Sequence, residues 1–431
     1  MSGIDLHEVA DWYQSVSKLL SLSELHLSSC GLEGLVPYQL GNLSSLCHLN
    51  FIYNDQLYVD DLSLIARLYS LEYPDMTGST LAGQLIGFKR SISNRHMLSY
   101  LDFEKNILRG QIPDELGQLK HLEYVSLIRN SLSGPIPASI GNLSAVRLLC
   151  LNDNQLNGSF PKSVGFLSNL EELHVGQNSI SSIVSEVNFA NLSKLKILEM
   201  FLNSLFFNVT SDWVSPFQLD ELQMSSCEMG PTFPSWLRTQ ASLSALDISE
   251  SKISDVAPKW LWKWVSRIES IDLSNNQISG DISNVFLNSN VVELSANLFK
   301  GQLPHLSPTV QMLNFANNSL SGPILPFLCQ YMKRKSMLVV LDLSNNLLSG
   351  ELPHCWMHWQ NLVHVNLGRN HLSGKIPNSM GSLSMLESLQ LHSNTFLGEL
   401  PLSLRNCTVL KFINLGENEL SDSFQVGSEN C

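Results

Sequence analysis

One 24-residue phrase, repeated down almost the whole chain, limits what this sequence can fold into. It reads "LEYVSLIRNSLSGPIPASIGNLSA" from Leu122 and "LVHVNLGRNHLSGKIPNSMGSLSM" from Leu362. Aligned, the copies give L-x-x-L-x-L-x-x-N-x-L-x-G-x-I-P-x-x-L-G-x-L-x-x. Seventeen units start near residues 22, 46, 71, 98, 122, 146, 170, 195, 219, 243, 268, 289, 310, 338, 362, 386 and 410, mostly 24 or 25 residues apart. A fixed period of this length marks a solenoid, in which each unit buries its apolar side against its neighbours. Residues 1–21 read as the remnant of a preceding unit and 22–431 as the array. The last unit keeps the template to Leu420 and then breaks into "SDSFQVGSENC". Neither end carries a recognisable cap, and an uncapped terminal repeat exposes leucine to water. The sequence therefore reads as an array truncated at its C-terminus.

Each template position has a physical reason. The L-x-L core predicts a short parallel strand whose alternate residues point inward and stack on those of adjacent coils. The residue at N turns the chain out of the strand, and an asparagine there both donates and accepts, so it can satisfy backbone groups that would otherwise be buried unpaired. Thirteen units place Asn at that point, Ser79 and Ser251 fill two more, and Cys30 and Cys227 fill the remaining two. A thiol packs well in an apolar interior and donates weakly. Nothing basic in the sequence is placed to stabilise a thiolate at Cys30, so it reads as scaffold. A Gly-x-x-Pro follows in eight units, from Gly34/Pro37 to Gly398/Pro401. Glycine permits a bend that a side chain blocks, and proline fixes φ where the chain leaves a second strand.

Asn or Cys at the ladder position fits the leucine-rich-repeat pattern, and the L-x-G-x-I-P insertion resembles its plant-specific class. The resemblance implies an α/β repeat solenoid: a right-handed leucine-rich-repeat superhelix with short parallel strands on the concave face. A narrower likeness is carried by "GPTFPSWLRTQASLSALDISESKISDVAPKWLWKW" (230–264), "SGELPHCWMHWQNLVHVNLGRNHLSGKIP" (349–377) and "LRNCTVL" (404–410). These stretches resemble the ectodomains of plant receptor-like proteins of the kind that perceive a fungal xylanase elicitor. The family implies a cell-surface role in immune perception, with a membrane helix, no kinase of its own, and partner receptor kinases for output. A signal peptide, cap, non-repeat island, membrane helix and cytoplasmic tail are not recognisable here.

Composition narrows the partners. Of 431 residues only 15% are charged, and the formal net charge is −13. Nucleic acids and anionic membranes both call for a basic face, so neither is expected as a partner. The one basic run, "MKRKS" at 332–336, reads as a solvated loop. No stretch approaches the ~18 apolar residues of a membrane span, and the acidic N-terminus lacks a signal-peptide core. Seven N-x-S/T sequons, at Asn42, Asn142, Asn157, Asn191, Asn208, Asn317 and Asn406, are candidate glycosylation sites.

The outward strand residues are the candidate binding surface. One column runs His48, Tyr73, Tyr100, Tyr124, Leu148, Glu172, Ile197, Glu221, so three consecutive tyrosines fall on strands about 4.8 Å apart. Nearby outward positions add Tyr53, Asp75, Asp102, Glu104, Lys105, Ile128, Arg129, His174, Phe201 and Leu202. Exposed tyrosine, phenylalanine and arginine are favoured interface anchors, and aromatic residues also simply suit strands. Tyr53, Tyr73, Tyr100, Tyr124, Arg129, His174 and Phe201 are the expected ligand contacts. Asp247, Asp272 and Asp342 follow the template and read as scaffold. Trp260 and Trp264, one helical turn apart, read as packing a convex helix onto its coil rather than as a membrane belt.

"HCWMHW" (354–359) has a metal-like spacing but no second pair of ligands, so no metal is expected. Cys355 and Cys329 fall at the back of adjacent coils, where a disulfide and two reduced, buried thiols are both open. No nucleophile, metalloprotease or phosphate-loop motif occurs. The chain therefore reads as a non-enzymatic binding scaffold without a cofactor. The expected partners are a protein, peptide or glycan elicitor and partner receptor kinases. The alternatives are a secreted inhibitor of microbial wall-degrading enzymes and the ectodomain of a receptor kinase for a hormone or peptide.

Overall fold

Every unit opens with the same three-residue strand, and the computed structural model shows why. It describes residues 3–7, 9, 11–58, 67–85, 97–330 and 335–421. Residues 332–334 of the basic run and the tail after Ser421 lie outside the described residues. In strands such as Tyr124–Ser126 and Leu148–Cys150 the central residue points inward, and Val125 and Leu149 are buried. Register is strict and parallel: Leu149 pairs with Val125 on one side and Leu173 on the other. Burying such a side chain contributes about 1.5–3 kcal/mol, and a one-residue slip would turn the whole apolar row outward.

The chain divides into two compact units. One comprises Met1–Glu228 with Ser235–Leu243, the other Met229–Pro234 with Ser244–Cys431. The first holds nine of these strands, from Glu24–His26 to Glu221–Gln223, and the second holds eight, from Ala245–Asp247 to Phe412–Asn414. The repeat period alone gives no sign of this division.

The ladder residues behave as their chemistry requires. Asn130 Nδ2 donates to the Phe103 carbonyl of the previous coil at 2.8 Å and to Leu127 at 3.1 Å, while its Oδ1 accepts the Leu108 amide at 3.0 Å. One side chain thereby pairs backbone groups of two coils. At Cys30 the Sγ lies 3.4 Å from the Ser28 carbonyl, and its own amide is received by Asn54 Oδ1 at 3.1 Å. Cys227 Sγ donates to the Met200 carbonyl at 3.3 Å and Ser79 Oγ to Phe51 at 2.7 Å.

All eight glycines of the Gly-x-x-Pro motif have φ between 74° and 95°, the left-handed region that a Cβ disfavours. Six of the prolines, Pro37, Pro113, Pro137, Pro161, Pro377 and Pro401, sit at the N-cap of a five-residue 3-10 helix. A second glycine has a reason that the repeat does not advertise. A Cβ on Gly117, Gly141, Gly165 or Gly381 would run into the backbone carbonyl of Ser139, Ser163, Val187 or Ser403, each on the next coil. Coils touch main chain to main chain there, so side chains are excluded.

At the back of the second unit Cys329 and Cys355 are joined as a disulfide, with Cα atoms 5.8 Å apart. Cys355 is thus committed to sulfur, and no group of three or more His, Cys, Asp or Glu able to hold a metal occurs among the described residues. The helix Lys259–Val265 buries Leu261 and Val265, and Trp260 packs edge-on against Phe233 at 5.7 Å and Trp264 at 6.2 Å. No helix among the described residues is long and apolar enough to cross a membrane.

Candidate functional site

The outward face of the first sheet has rows set by register. In the first unit the leading row reads Glu24, His48, Tyr73, Tyr100, Tyr124, Leu148, Glu172, Ile197, Glu221, as the sequence suggests. The rings form two stacked pairs rather than an even ladder. His48 and Tyr73 stack at 4.4 Å and 12°, Tyr100 and Tyr124 at 4.3 Å and 13°, while Tyr73 and Tyr100 are tilted by 35° at 6.1 Å. The break falls where the strands Tyr73–Asp75 and Tyr100–Asp102 pair through the single register contact Asp75↔Asp102. Pro74, the central residue of the first of these strands, has no amide to donate to the next strand, so the pairing fails there.

Beside the rings runs a second row with a shared task. Its carboxylates and amides accept the amide two residues on: Asn50 from Ile52, Asp75 from Thr77, Asp102 from Glu104, Asp247 from Ser249, Asp272 from Ser274, Glu293 from Ser295, Asn314 from Ala316, Asp342 from Ser344, Asn366 from Gly368 and Asn414 from Gly416. These turns close the strand exits. Asp247, Asp272 and Asp342 therefore have a structural duty, and the template carries its signature.

Asp102 does more. It is 6% exposed, and its Oδ2 accepts the hydroxyls of Tyr100 at 3.1 Å and Tyr124 at 3.2 Å. Burial and the nearby Asp102 carboxylate push both tyrosine pKa values well above the ordinary phenol. Burial also raises the Asp75 pKa, against the Thr77 amide and hydroxyl, with Asp102 and Glu104 adding to the rise.

His174 lies elsewhere in the same row, in a network that sequence inspection misses. Its Nδ1 meets Glu199 at 2.7 Å and its Nε2 meets Glu172 at 3.2 Å, while Asn152 Nδ2 donates to Glu199 at 2.9 Å. Burial opposes charge on His174, but the Cys150 sulfur and the Glu199 carboxylate outweigh it and raise its pKa well above the usual imidazole value. Glu199 is correspondingly held below the carboxylate range, since His174 and Asn152 overcome its burial. Burial raises the Cys150 pKa, with His174 opposing, so the thiol form is favoured. Cys150, His174 and Glu199 occupy one register row on three consecutive strands, 24 and 25 residues apart. The repeat period is the signal that could have grouped them.

The remaining expected contacts are spread out. Tyr53 is 54% exposed, its ring lying over Gly78. Arg129, in the same row as Tyr53, approaches Asp153 at 3.6 Å, and the Phe201 ring covers Gly176. All seven sequon asparagines are exposed.

Stacked three-residue strands, an asparagine ladder and a second Gly-x-x-Pro strand define a leucine-rich-repeat solenoid of the plant-specific type. The Leucine Rich Repeat family matches residues 21–43, 121–143, 267–289, 337–359 and 361–383. The chain is 39% identical over 186 residues to Receptor-like protein EIX2 of Solanum lycopersicum, covering 42% of this chain and 18% of that protein. It is 38% identical over 152 residues to Receptor-like protein 7 of Arabidopsis thaliana, covering 34% and 15%. The matches span less than a fifth of the length of these curated relatives. Among solved structures, the Arabidopsis receptor kinase HAESA, in complex with the peptide hormone IDA and the co-receptor SERK1, superposes with a TM-score of 0.72 at 29% identity, over 95% of this chain and 72% of that one. The plant peptide hormone receptor RGFR1 in complex with RGF2 gives 0.69 at 25%, over 97% and 73%.

Proposed function

We propose that this chain is the ligand-recognition part of a plant cell-surface immune receptor-like protein. It senses a pathogen- or wall-derived molecule on the outward face of the first sheet and signals through partner receptor kinases. The observation that carries this is the paired aromatic rows His48–Tyr73 and Tyr100–Tyr124, half-exposed and flanked by Asp75 and Glu104. Rings fixed by stacking and by Asp102 offer contact area with little ordering entropy left to lose. The likeness to plant receptor-like proteins supports the receptor role. The peptide complexes of the structural neighbours support a peptide or protein as the ligand.

The test compares a secreted version of the chain with one carrying Tyr73→Ala, Tyr100→Ala and Tyr124→Ala together. A fungal xylanase, the elicitor type that the sequence likeness implies, is the first probe, and wall oligosaccharides are the second. Loss of binding in the triple variant, with an unchanged circular dichroism spectrum, is the expected result. Equal binding by both proteins would place the contact surface elsewhere.

A further inference from the structure

Asn317 differs from the other six sequon asparagines in where it stands. Asn42, Asn142 and Asn406 close the 3-10 helices Tyr38–Asn42, Ala138–Asn142 and Leu402–Asn406, and Asn191 follows the helix Glu186–Phe189. Asn157 lies in the second strand Gln155–Gly158, and Asn208 just past Ser204–Phe207. Asn317 instead sits three residues beyond the first-sheet strand Met312–Asn314, in the row that carries Tyr53, Lys105 and Arg129 in the first unit. It is exposed and holds φ at 56°, a left-handed conformation that asparagine tolerates. Its Oδ1 accepts a hydrogen bond from Asn345 Nδ2 on the next coil. The side-chain oxygen is thus used by the protein, and the nitrogen is the atom a glycan would take. The neighbouring row is cut low around it: Ser295, Ala316 and Ser344 stand where the first unit has Glu104, Ile128 and Phe201.

We infer that Asn317 carries an N-linked oligosaccharide that lies over the first-sheet face of the second unit. This rests on the extracellular reading proposed above. In the transfer, the Asn317 amide nitrogen attacks the anomeric carbon of a lipid-linked oligosaccharide diphosphate. The new carbon–nitrogen bond forms as the anomeric carbon–oxygen bond breaks, the lipid diphosphate leaves, and the nitrogen gives up a proton. Strands are about 4.8 Å apart, so a branched glycan spans several coils from one anchor. Glu293 and Asp342, which flank Asn314 in register, lie beneath it. The glycan screens this face of the second unit.

The chain is secreted from a eukaryotic host behind a heterologous signal and treated with an amidase that converts glycosylated Asn to Asp in heavy-oxygen water. Each sequon is then read by mass spectrometry. Carboxyl labelling with a carbodiimide and an amine compares the wild type with Ser319→Ala, which removes the sequon but keeps Asn317 and its bond to Asn345. Asn317→Gln serves as the second variant. The expected result is an occupied Asn317, with labelling of Glu293 and Asp342 rising several-fold in both variants while Asp153 stays constant. An empty Asn317 beside occupied Asn42 or Asn142 overturns this inference alone. An occupied Asn317 with unchanged labelling overturns the screening. Seven empty sequons on a secreted chain overturn both the inference and the extracellular reading on which it rests.

Discussion

Tyr100 and Tyr124 lie ring on ring at 4.3 Å and end their hydroxyls on the same oxygen of Asp102. One buried carboxylate therefore sets the height and angle of both rings. Removing it leaves two hydroxyls and the Glu104 amide without their acceptor. Asp102→Ala should cost about 2–3 kcal/mol of stability, on the scale of hydrogen bonds to charged groups, and Asp102→Asn should cost less. Urea denaturation followed by circular dichroism measures both.

The same pair sets an alkaline limit. The folded-state pKa values of Tyr100 and Tyr124 are raised, so their contribution is complete below the ordinary phenol value of about 10 and is lost as pH rises above it. Melting temperature should fall more steeply above about pH 10 in the wild type than in Tyr100→Phe/Tyr124→Phe. Tyrosinate absorbance should show two late-titrating groups that the double variant lacks.

His174 and Glu199 predict a maximum in mildly acidic solution. The lowered Glu199 pKa stabilises the fold above the ordinary glutamate value near 4.3 and is lost as pH falls below it. The raised His174 pKa stabilises the fold below about 6.5 and is lost as pH climbs toward the folded value. The difference in melting temperature between wild type and Glu199→Gln should peak between these two values and shrink on either side. A difference flat across pH would show that the pair does not act through charge.

Ladder asparagines and ladder cysteines should differ in cost. Asn154 donates to the Leu127 and Leu151 carbonyls and accepts the Leu132 amide. Asn154→Ala strands several buried groups and should cost about 3 kcal/mol or more. Cys30→Ala leaves the amide of residue 30 on Asn54 Oδ1 and removes a weak thiol donor with a small apolar volume, and should cost clearly less. Paired denaturation curves decide it.

Gly141→Ala drives a methyl group into the Ser163 carbonyl of the next coil and should cost about 1–3 kcal/mol as overpacking. Gly416 is the control, since an added Cβ there meets only Asn414 Oδ1 at 3.6 Å. Gly416→Ala should leave the melting temperature nearly unchanged.

The coil was legible because its causes are local. Leucine alternation, the ladder asparagine and the left-handed glycine each act within one period, so one template carries them. The outward rows were legible too, because register follows from period; that placed Tyr73, Tyr100 and Tyr124 on adjacent strands. What escaped depends on distances across coils. The reduced pairing at Asp75 and Asp102 coincides with the gap between the two ring pairs; Pro74 is its letter, since it has no amide to donate, but the period alone does not show the effect on the rings. Glu199, Asn152 and Cys150 look unrelated in sequence until stacking puts them around His174. Gly117, Gly141, Gly165 and Gly381 were visible as letters, yet their reason is a carbonyl one coil later.

The row of acceptors at the strand exits divides the outward face by how freely it can change. At ten coils a carboxylate or amide there holds the amide two residues on. Swapping one for an apolar residue would change the surface and undo a turn in a single step. The neighbouring positions, Tyr73, Tyr100 and Tyr124 on one side and Glu104, Ile128 and Phe201 on the other, have no such duty to the backbone. A new binding preference can be written into those two lanes coil by coil, while the lane between them keeps the grammar that makes every coil readable to the next.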